Sequence, residues 1–178
     1  MSVETARLVA EPISQAHLGD MVRLLSDPRV AATLGGVPTP ARVAAMIEQQ
    51  AEQFERHGFG FWVWREKATN AVVARGGIQH THVGGADEVE VGWAVVPDRW
   101  GQGLATELGA ASIRVGFEDH GLRDIVSFAL ETNLASRRVM EKLGLTYERD
   151  VEHAGLPHVL YRLTADQAAR PGIAIPDS

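Results

Sequence analysis

The sequence predicts a mixed α/β fold of the α+β type, with one central, mostly antiparallel sheet of about seven strands flanked by about four helices. The first observation that predicts this fold is the order of the patterned segments: strand, helices, three strands, helix, strand, helix and two strands. Second, only the segments around residues 88–130 require a parallel crossover, from strand to helix to strand. Third, neither a repeat nor a linker divides the 178 residues, a length that suits one domain. We therefore expect a single domain over residues 1–163 and a flexible tail over residues 164–178, where prolines and a glycine follow Thr164.

The first third of the chain is predicted from alternation, helical spacing and stop signals. Its expected elements are a strand at Arg7–Glu11 stopped by Pro12, a helix at His17–Leu25 stopped by Asp27-Pro28, and a helix from Pro40 to about Arg56. Thr39 is the expected N-cap of the second helix, with Pro40 at its first position. Its buried face should carry Ile47, Ala51 and Phe54.

Three strands follow, at Phe61–Arg65, Ala71–His80 and Glu88–Val96, the last two joined by a hairpin loop at Gly84-Gly85. Because side chains alternate along a strand, the third strand has two distinct faces. One face carries Val89, Val91, Trp93 and Val95, and the other carries Glu90, Gly92, Ala94 and Val96.

The last third continues the alternation of strands and helices. Its expected elements are a helix at Leu104–Glu118, a strand at Asp124–Leu130, a helix at Ala135–Leu143, and an antiparallel pair at Tyr147–Val151 and His158–Leu163. Gly144 supplies the stop signal of the last of these helices.

Composition narrows the class of protein. The formal net charge of −6 argues against a nucleic-acid partner, and the absence of cysteine excludes thiolate catalysis and cysteine-ligated metals. No apolar run reaches the roughly 20 residues of a membrane helix, and the N-terminus has no basic-then-apolar signal pattern, so we expect no membrane partner and a cytoplasmic location.

A turn at Trp100–Ala105 is the central motif. It follows an apolar strand and opens a helix, whose first backbone N–H groups lack intrahelical partners and attract anions. Gly101 and Gly103 let a pyrophosphate approach the backbone, and Thr106 adds a hydroxyl. The alternative is a tight turn that uses glycine for geometry alone. Neither a P-loop nor a complete dinucleotide fingerprint is present, which disfavours a nucleotide-binding protein.

A second motif, Asn133-Leu134-Ala135-Ser136, follows the buried strand Asp124–Leu130. Asn133 and Ser136 lie at the start of the next helix, where both residue types are also common as caps. By itself this motif indicates either a capped helix or a polar site.

Together these motifs resemble the GCN5-related N-acetyltransferase (GNAT) superfamily, and within it the RimJ/RimL-like branch. The resemblance spans residues 5–163 and rests on three stretches: Thr5-Ala6-Arg7-Leu8, Glu90-Val91-Gly92-Trp93 through Trp100-Gly101-Gln102-Gly103-Leu104-Ala105-Thr106-Glu107, and Asn133-x-x-Ser136 through Glu141-Lys142-Leu143-Gly144. It implies the GNAT fold, with acetyl-CoA bound where two neighbouring parallel strands splay apart. Trp100 departs from the wider superfamily, which has Gln or Arg there, and fits the branch.

The resemblance also implies how the cosubstrate is held. Backbone groups of Ala94, Val95 and Val96 would pair with the pantetheine arm, and Asn133 would hydrogen-bond to it. The pyrophosphate would lie on the turn formed by Trp100, Gly101, Gln102, Gly103, Leu104, Ala105 and Thr106.

Acetyl transfer to an amine requires a base, stabilisation of an oxyanion and an acid for the departing thiolate. Glu90 is the first candidate for the base, acting directly or through water, and Glu88 is the reserve; a bulge would have to shift the strand register for either to fit the family position. Ser136 stands at the position of the acid, and the backbone N–H of Val96 is the expected oxyanion donor. An exposed carboxylate without a role is the alternative for Glu90.

The expected function is transfer of an acetyl group from acetyl-CoA to a primary amine, by direct attack in a ternary complex. The acceptor is either a protein N-terminus or a small molecule, and a homodimer is possible. A non-catalytic acyl-CoA-binding module is the alternative function. Two pairs of histidines could form a metal site: His80 with His82, and His153 with His158. We expect no metal, and we expect instead that one or more of these histidines line the acceptor pocket.

Overall fold

The computed structural model describes residues 3–169 and contains one eight-stranded sheet in the order β1-β2-β3-β4-β5-β6-β8-β7. The strands are β1 Val3–Glu4, β2 Leu8–Pro12, β3 Phe61–Glu66, β4 Val72–Val83, β5 Ala86–Val95, β6 Asp124–Leu130, β7 Thr146–His153 and β8 Leu156–Thr164. The α-helices are α1 Leu18–Ser26, α2 Pro28–Ala31, α3 Pro40–His57, α4 Leu104–Arg114, α5 Leu134–Lys142 and α6 Ala165–Ala168. The predicted mixed α/β fold is confirmed.

The parallel pair lies in the middle of the sheet. Every other pair of neighbouring strands is antiparallel, whereas β5 and β6 run parallel and are paired at one position, Glu90 opposite Val126. Beyond this position the two strands are no longer paired, so the predicted splayed pair is present. A gap therefore opens in the sheet between the carboxyl ends of β5 and β6.

Helices cover both faces of the sheet, as strand alternation requires. On one face, Val91 and Val95 of β5 share a buried core with Leu104 and Leu108 of α4. On the other face, Ala94 shares a second core with residues of α1, α2 and α3, namely Met21, Leu24, Leu25, Val30, Val43 and Ile47. The even-numbered face of β5, which carries Glu90, thus looks toward the N-terminal helices.

The structure corrects several details of the prediction. Strand β1 and the four-residue helices α2 and α6 are additional to the predicted elements, because such short segments carry too little periodicity to be recognised. Asp27 caps α2 through a hydrogen bond from the Arg29 N–H, so Asp27-Pro28 begins a helix as well as ending one. The buried face of α3 carries Val43, Ile47 and Gln50, whereas Ala51 is exposed.

Strand register and the C-terminus differ from expectation as well. The pairing of β5 with β4 is unbroken from Val83 opposite Ala86 to Ala74 opposite Val95, so the expected bulge is absent. The predicted tail begins with α6, which Thr164 caps by accepting a hydrogen bond from the Gln167 N–H. Residues 170–178 lie outside the described residues. No helix within the described residues is long and apolar enough to cross a membrane.

Candidate acetyltransferase site

The gap between β5 and β6 widens into a cleft of about 590 Å³. Ten of the twelve predicted cosubstrate residues line it: Ala94, Val95, Trp100, Gly101, Gly103, Leu104, Ala105, Thr106, Asn133 and Ser136. Glu90 lines the same cleft, whereas Val96 and Gln102 do not. The fold thus brings together residues that are more than 40 positions apart in the sequence.

The predicted phosphate turn has the geometry that an anion site requires. Gly101 and Gly103 have φ values of 74° and 81°, a region that favours glycine. Gly103 is the N-cap of α4 and no side chain caps this helix, so the first N–H groups of an 11-residue helix are open toward the cleft. Upstream of the glycines, the Trp100 indole N–H donates to the Val95 carbonyl at 2.7 Å and ties the turn to the end of β5.

The N-terminal segment supports this turn from behind. The Glu107 carboxylate accepts hydrogen bonds from the Thr5 hydroxyl at 2.5 Å, the Arg7 backbone N–H at 2.9 Å and the Arg7 Nε at 2.7 Å. Arg7 also donates from Nη1 to the Gln102 carbonyl at 2.9 Å. Burial opposes ionisation of Glu107, but the bonds from Thr5 and Arg7 outweigh it and lower the pKa of Glu107. We call Thr5, Arg7 and Glu107 the turn brace.

The prediction that the Val96 N–H serves as oxyanion donor is wrong. This N–H donates to the Val73 carbonyl at 2.8 Å, because β5 continues its antiparallel pairing with β4 through Val96. Backbone groups alternate between the two sides of a strand, so Ala94 also faces β4, whereas Trp93 and Val95 face the cleft. The Val95 carbonyl already accepts the Trp100 indole, which leaves the N–H groups of Trp93 and Val95 for a ligand.

Asn133 and Ser136 occupy the start of α5, on the β6 side of the cleft. The Asn133 side-chain oxygen accepts the Ser136 backbone N–H at 3.1 Å, so the capping role is real. Since this bond uses only the oxygen, the amide N–H groups of Asn133 are left to donate to a ligand. The Ser136 hydroxyl has no hydrogen bond to any of the described residues.

A buried chain of amides holds Glu90. The Phe61 N–H donates to Gln50 at 2.7 Å, Gln50 donates to Gln79 at 2.6 Å, and Gln79 donates to a Glu90 carboxylate oxygen at 3.0 Å. Burial raises the pKa of Glu90, and the bond from Gln79 and the positive charge of Arg75 only partly oppose this rise. A half-buried carboxylate with a raised pKa, fixed in a cleft, has the properties of a general base.

The geometry does not support Glu88 as the reserve base. Arg162 donates from Nη2 and Nη1 to the two Glu88 oxygens at 2.7 and 3.0 Å. The same guanidinium also binds Asp124 and Glu148, and its hydrogen bonds to Glu88 and Glu148 raise its pKa. Glu88 is absent from the cleft lining, so its role is structural.

The acceptor half of the cleft contains residues that sequence reasoning did not assign, among them Phe61, Arg75 and Gln79. For Arg75, the available signal was a lone charged residue between Ala74 and Gly76. His153 and His158 line the cleft around Phe128, with ring centroids 4.8 and 5.7 Å from it. Burial and the neighbouring His158 lower the pKa of His153. His80 instead contacts His57, with the ring centroids 4.0 Å apart, and the His82 Nδ1 lies 2.8 Å from an Asp87 carboxylate oxygen. Between residues 3 and 169, no group of three or more acidic or histidine side chains is arranged to hold a metal.

Comparison with known proteins identifies the family and supports the fold. Residues 7–146 match the family described as the acetyltransferase (GNAT) domain. The chain is 29% identical over 158 residues to the FsC-acetyl coenzyme A-N(2)-transacetylase of Aspergillus fumigatus, covering 82% of this chain and 65% of that protein. A putative GNAT-family acetyltransferase from Bordetella pertussis has a similar structure, with a TM-score of 0.81, 24% identity and coverage of 91% and 98% of the two chains. RimJ of Mycobacterium smegmatis, solved in complex with CoA-disulfide, gives a TM-score of 0.76 at 18% identity over 96% of this chain and 90% of that one. The chain belongs to the GNAT acetyltransferase family.

Proposed function

We propose that this acetyltransferase binds acetyl-CoA in the cleft between β5 and β6 and transfers the acetyl group directly to a primary amine in a ternary complex. The observation that carries the proposal is that one cleft joins an open helix N-terminus, built on two left-handed glycines, to a half-buried carboxylate at the point where the strands separate.

The cosubstrate would extend from the turn into the gap. The open N–H groups of Gly103 to Thr106 would hold the pyrophosphate, which the dipole of α4 also attracts. The pantetheine arm would lie along β5 like an added strand, with the Val95 N–H and the Asn133 amide as donors. This arrangement would direct the thioester toward Glu90.

Glu90 would accept the proton from the attacking amine, directly or through one water. The cleft-facing N–H group of Trp93 would stabilise the tetrahedral oxyanion, replacing that of Val96 in this role, while the Val95 N–H binds the pantetheine arm. Ser136 would donate a hydrogen bond to the departing thiolate, because its hydroxyl is in the cleft and free of described partners.

The experiment that tests this proposal is an acetyl-CoA-dependent thiol-release assay against a panel of small amines, amino acids and N-terminal peptides. We expect turnover with at least one amine class, and an about 100-fold or larger loss of kcat in Glu90→Gln, in the range usual for a general base. Glu88→Gln is the matched control, since it makes the same change two positions along the same strand. It should lose stability but keep the wild-type pH profile. Wild-type rates in Glu90→Gln at every pH would refute the base assignment.

The acceptor class is either a protein N-terminus or a small-molecule amine. The likeness to RimJ supports the RimJ/RimL-like branch, and the name of the Aspergillus relative, an N(2)-transacetylase, supports acetylation of a nitrogen atom. A polar pocket lined by Gln79, Thr81, His153 and His158 suits either acceptor. The assay panel includes both classes for this reason.

A further inference from the structure

Arg75 is a buried cation in the acceptor half of the cleft for which the mechanism above has no use. It lies in the interior of β4, between Ala74 and Gly76, and reaches solvent only in part. Burial lowers the pKa of its guanidinium, with the negative charge of Glu90 opposing that shift. Arginine nevertheless stays protonated in proteins, so a full positive charge is held at this position.

This charge lacks the partners that buried arginines normally have. Its Nε is buried without a hydrogen-bond acceptor, and within the described range 3–169 the contact made by its guanidinium is with the face of the Phe61 ring rather than with a carboxylate. Arg99 lines the same cleft but is satisfied by the Glu66 carboxylate, with both bonds at 3.1 Å. A buried donor without an acceptor is costly, so the Nε of Arg75 indicates an acceptor that the described residues do not supply.

The position of Arg75 points to the acceptor rather than to the cosubstrate. Its guanidinium carbon lies 5.3 Å from the centroid of the Phe61 ring. Phe61 pairs with Gly77, and its ring reaches across to Gly92, where an added Cβ would lie 2.8 Å from the ring edge. Gly92 lies between Glu90 and Ala94, the partner of Arg75 across the sheet. The guanidinium therefore leans along the strand toward Glu90 and away from the phosphate turn.

Arg75 and Glu90 thus belong to one face of the sheet and line one cleft, but they do not pair with each other. Their strand positions are four residues apart in register, about 13 Å along the sheet. The two residues between them, Gly77 and Gly92, carry no side chain, and the Phe61 ring and the Glu90 carboxylate lie over Gly92. We propose that the acceptor carries a carboxylate that binds Arg75 and an amine that lies at Glu90, so the substrate is a small amino acid or related aminocarboxylate. This inference rests on the proposed acetyltransferase function and deepens it.

The test compares matched acceptors, each an ω-amino acid and its own carboxamide, in a series of increasing chain length. Wild-type kcat/KM should favour the carboxylate over the carboxamide by about ten- to hundredfold, the range of a charge-assisted hydrogen bond. Arg75→Gln should remove this preference by lowering the rate with the carboxylate, with little change in the carboxamide rate or in the KM for acetyl-CoA. Arg75→Lys keeps the charge and should restore part of the preference.

Two results would overturn the inference. One is equal wild-type rates with both members of each pair. The other is an Arg75→Gln variant that retains the preference while its KM for acetyl-CoA rises, which would assign Arg75 to the phosphates of the cosubstrate.

A second measurement uses the wild-type protein alone, in case Arg75→Gln does not fold. Desamino analogues, the simple carboxylates and carboxamides of the same lengths, cannot be acetylated. The carboxylates should raise the Tm and the carboxamides should not, because a ligand of the folded state stabilises it. Equal shifts would contradict the role of Arg75. Stabilisation by carboxylates without turnover of any amine would instead contradict the proposed activity and leave the Arg75 site standing.

Discussion

Replacing Glu107 with glutamine tests whether the turn brace serves cosubstrate binding or only the fold. The substitution keeps one oxygen acceptor for the Thr5 hydroxyl and the Arg7 backbone N–H, but it removes the charge that binds the Arg7 guanidinium at 2.7 Å from Nε and 2.6 Å from Nη2. Hydrogen bonds to a charged group contribute about 1.5–3 kcal/mol. The Arg7 side chain is 47% exposed, so water screens the pair and about 1–2 kcal/mol is the reasonable expectation.

The assay measures the KM for acetyl-CoA and the urea midpoint of the same variant. If the brace holds the Gln102–Gly103 backbone in its binding geometry, most of the loss should appear as weaker cosubstrate binding, about 5- to 30-fold in KM. Glu52→Gln is the matched control, because its exposed pair with Arg56 at 3.4 Å contributes little. A lower urea midpoint with an unchanged KM for acetyl-CoA would refute the reasoning and leave the brace a purely structural feature.

Three further predictions concern single positions in the cleft. Burial raises the pKa of Glu90, so the stability that Glu90 contributes is present below its unfolded pKa near 4.5 and is lost as pH rises through its folded pKa. In urea melts, Glu90→Gln should therefore be more stable than wild type at pH 8, and this advantage should be smaller at pH 5. An equal difference at both pH values would contradict the raised pKa. Ser136→Ala keeps the backbone N–H that Asn133 accepts, so kcat should fall about tenfold while the KM for acetyl-CoA stays unchanged; a change confined to KM would exclude the thiolate role. Gly103→Ala places a Cβ at a φ of 81°, which costs about 1–2 kcal/mol, and should raise the KM for acetyl-CoA. Gly19→Ala in α1 is the control: an added Cβ there meets nothing within 4 Å, so the KM for acetyl-CoA should not change.

The sequence was sufficient for the fold class and for most of the residues that were predicted to lie together in one cleft. Periodicity located the longer strands and helices, because each has one buried face that repeats at a fixed spacing. The turn and the Asn133 motif are local in sequence, and local signals such as paired glycines and caps can be read without a structure. Ten of the twelve cosubstrate residues accordingly line the cleft.

What could not be predicted depends on which way a backbone group points and on partners distant in sequence. The Val96 N–H was assigned to the oxyanion, but its partner in the structure is the Val73 carbonyl. That pairing depends on the register of β4 against β5, and hydrophobic patterning does not distinguish registers that differ by two residues. Glu88 and Glu90 share a strand face, and only the tertiary position of Arg162, 74 residues away, makes one structural and leaves the other in the cleft. The amide chain through Gln50 and the unpaired charge of Arg75 likewise exist only once α3 lies on the sheet.

Initial-velocity kinetics with both substrates varied test the central claim most directly. With an acceptor from the amine panel, thiol release should require the amine, and double-reciprocal plots at several fixed amine concentrations should give lines that intersect, as attack within a ternary complex demands. Parallel lines, or a burst of free CoA before the amine is added, would mean that the acetyl group passes first to the protein, and would contradict direct transfer in the β5–β6 cleft.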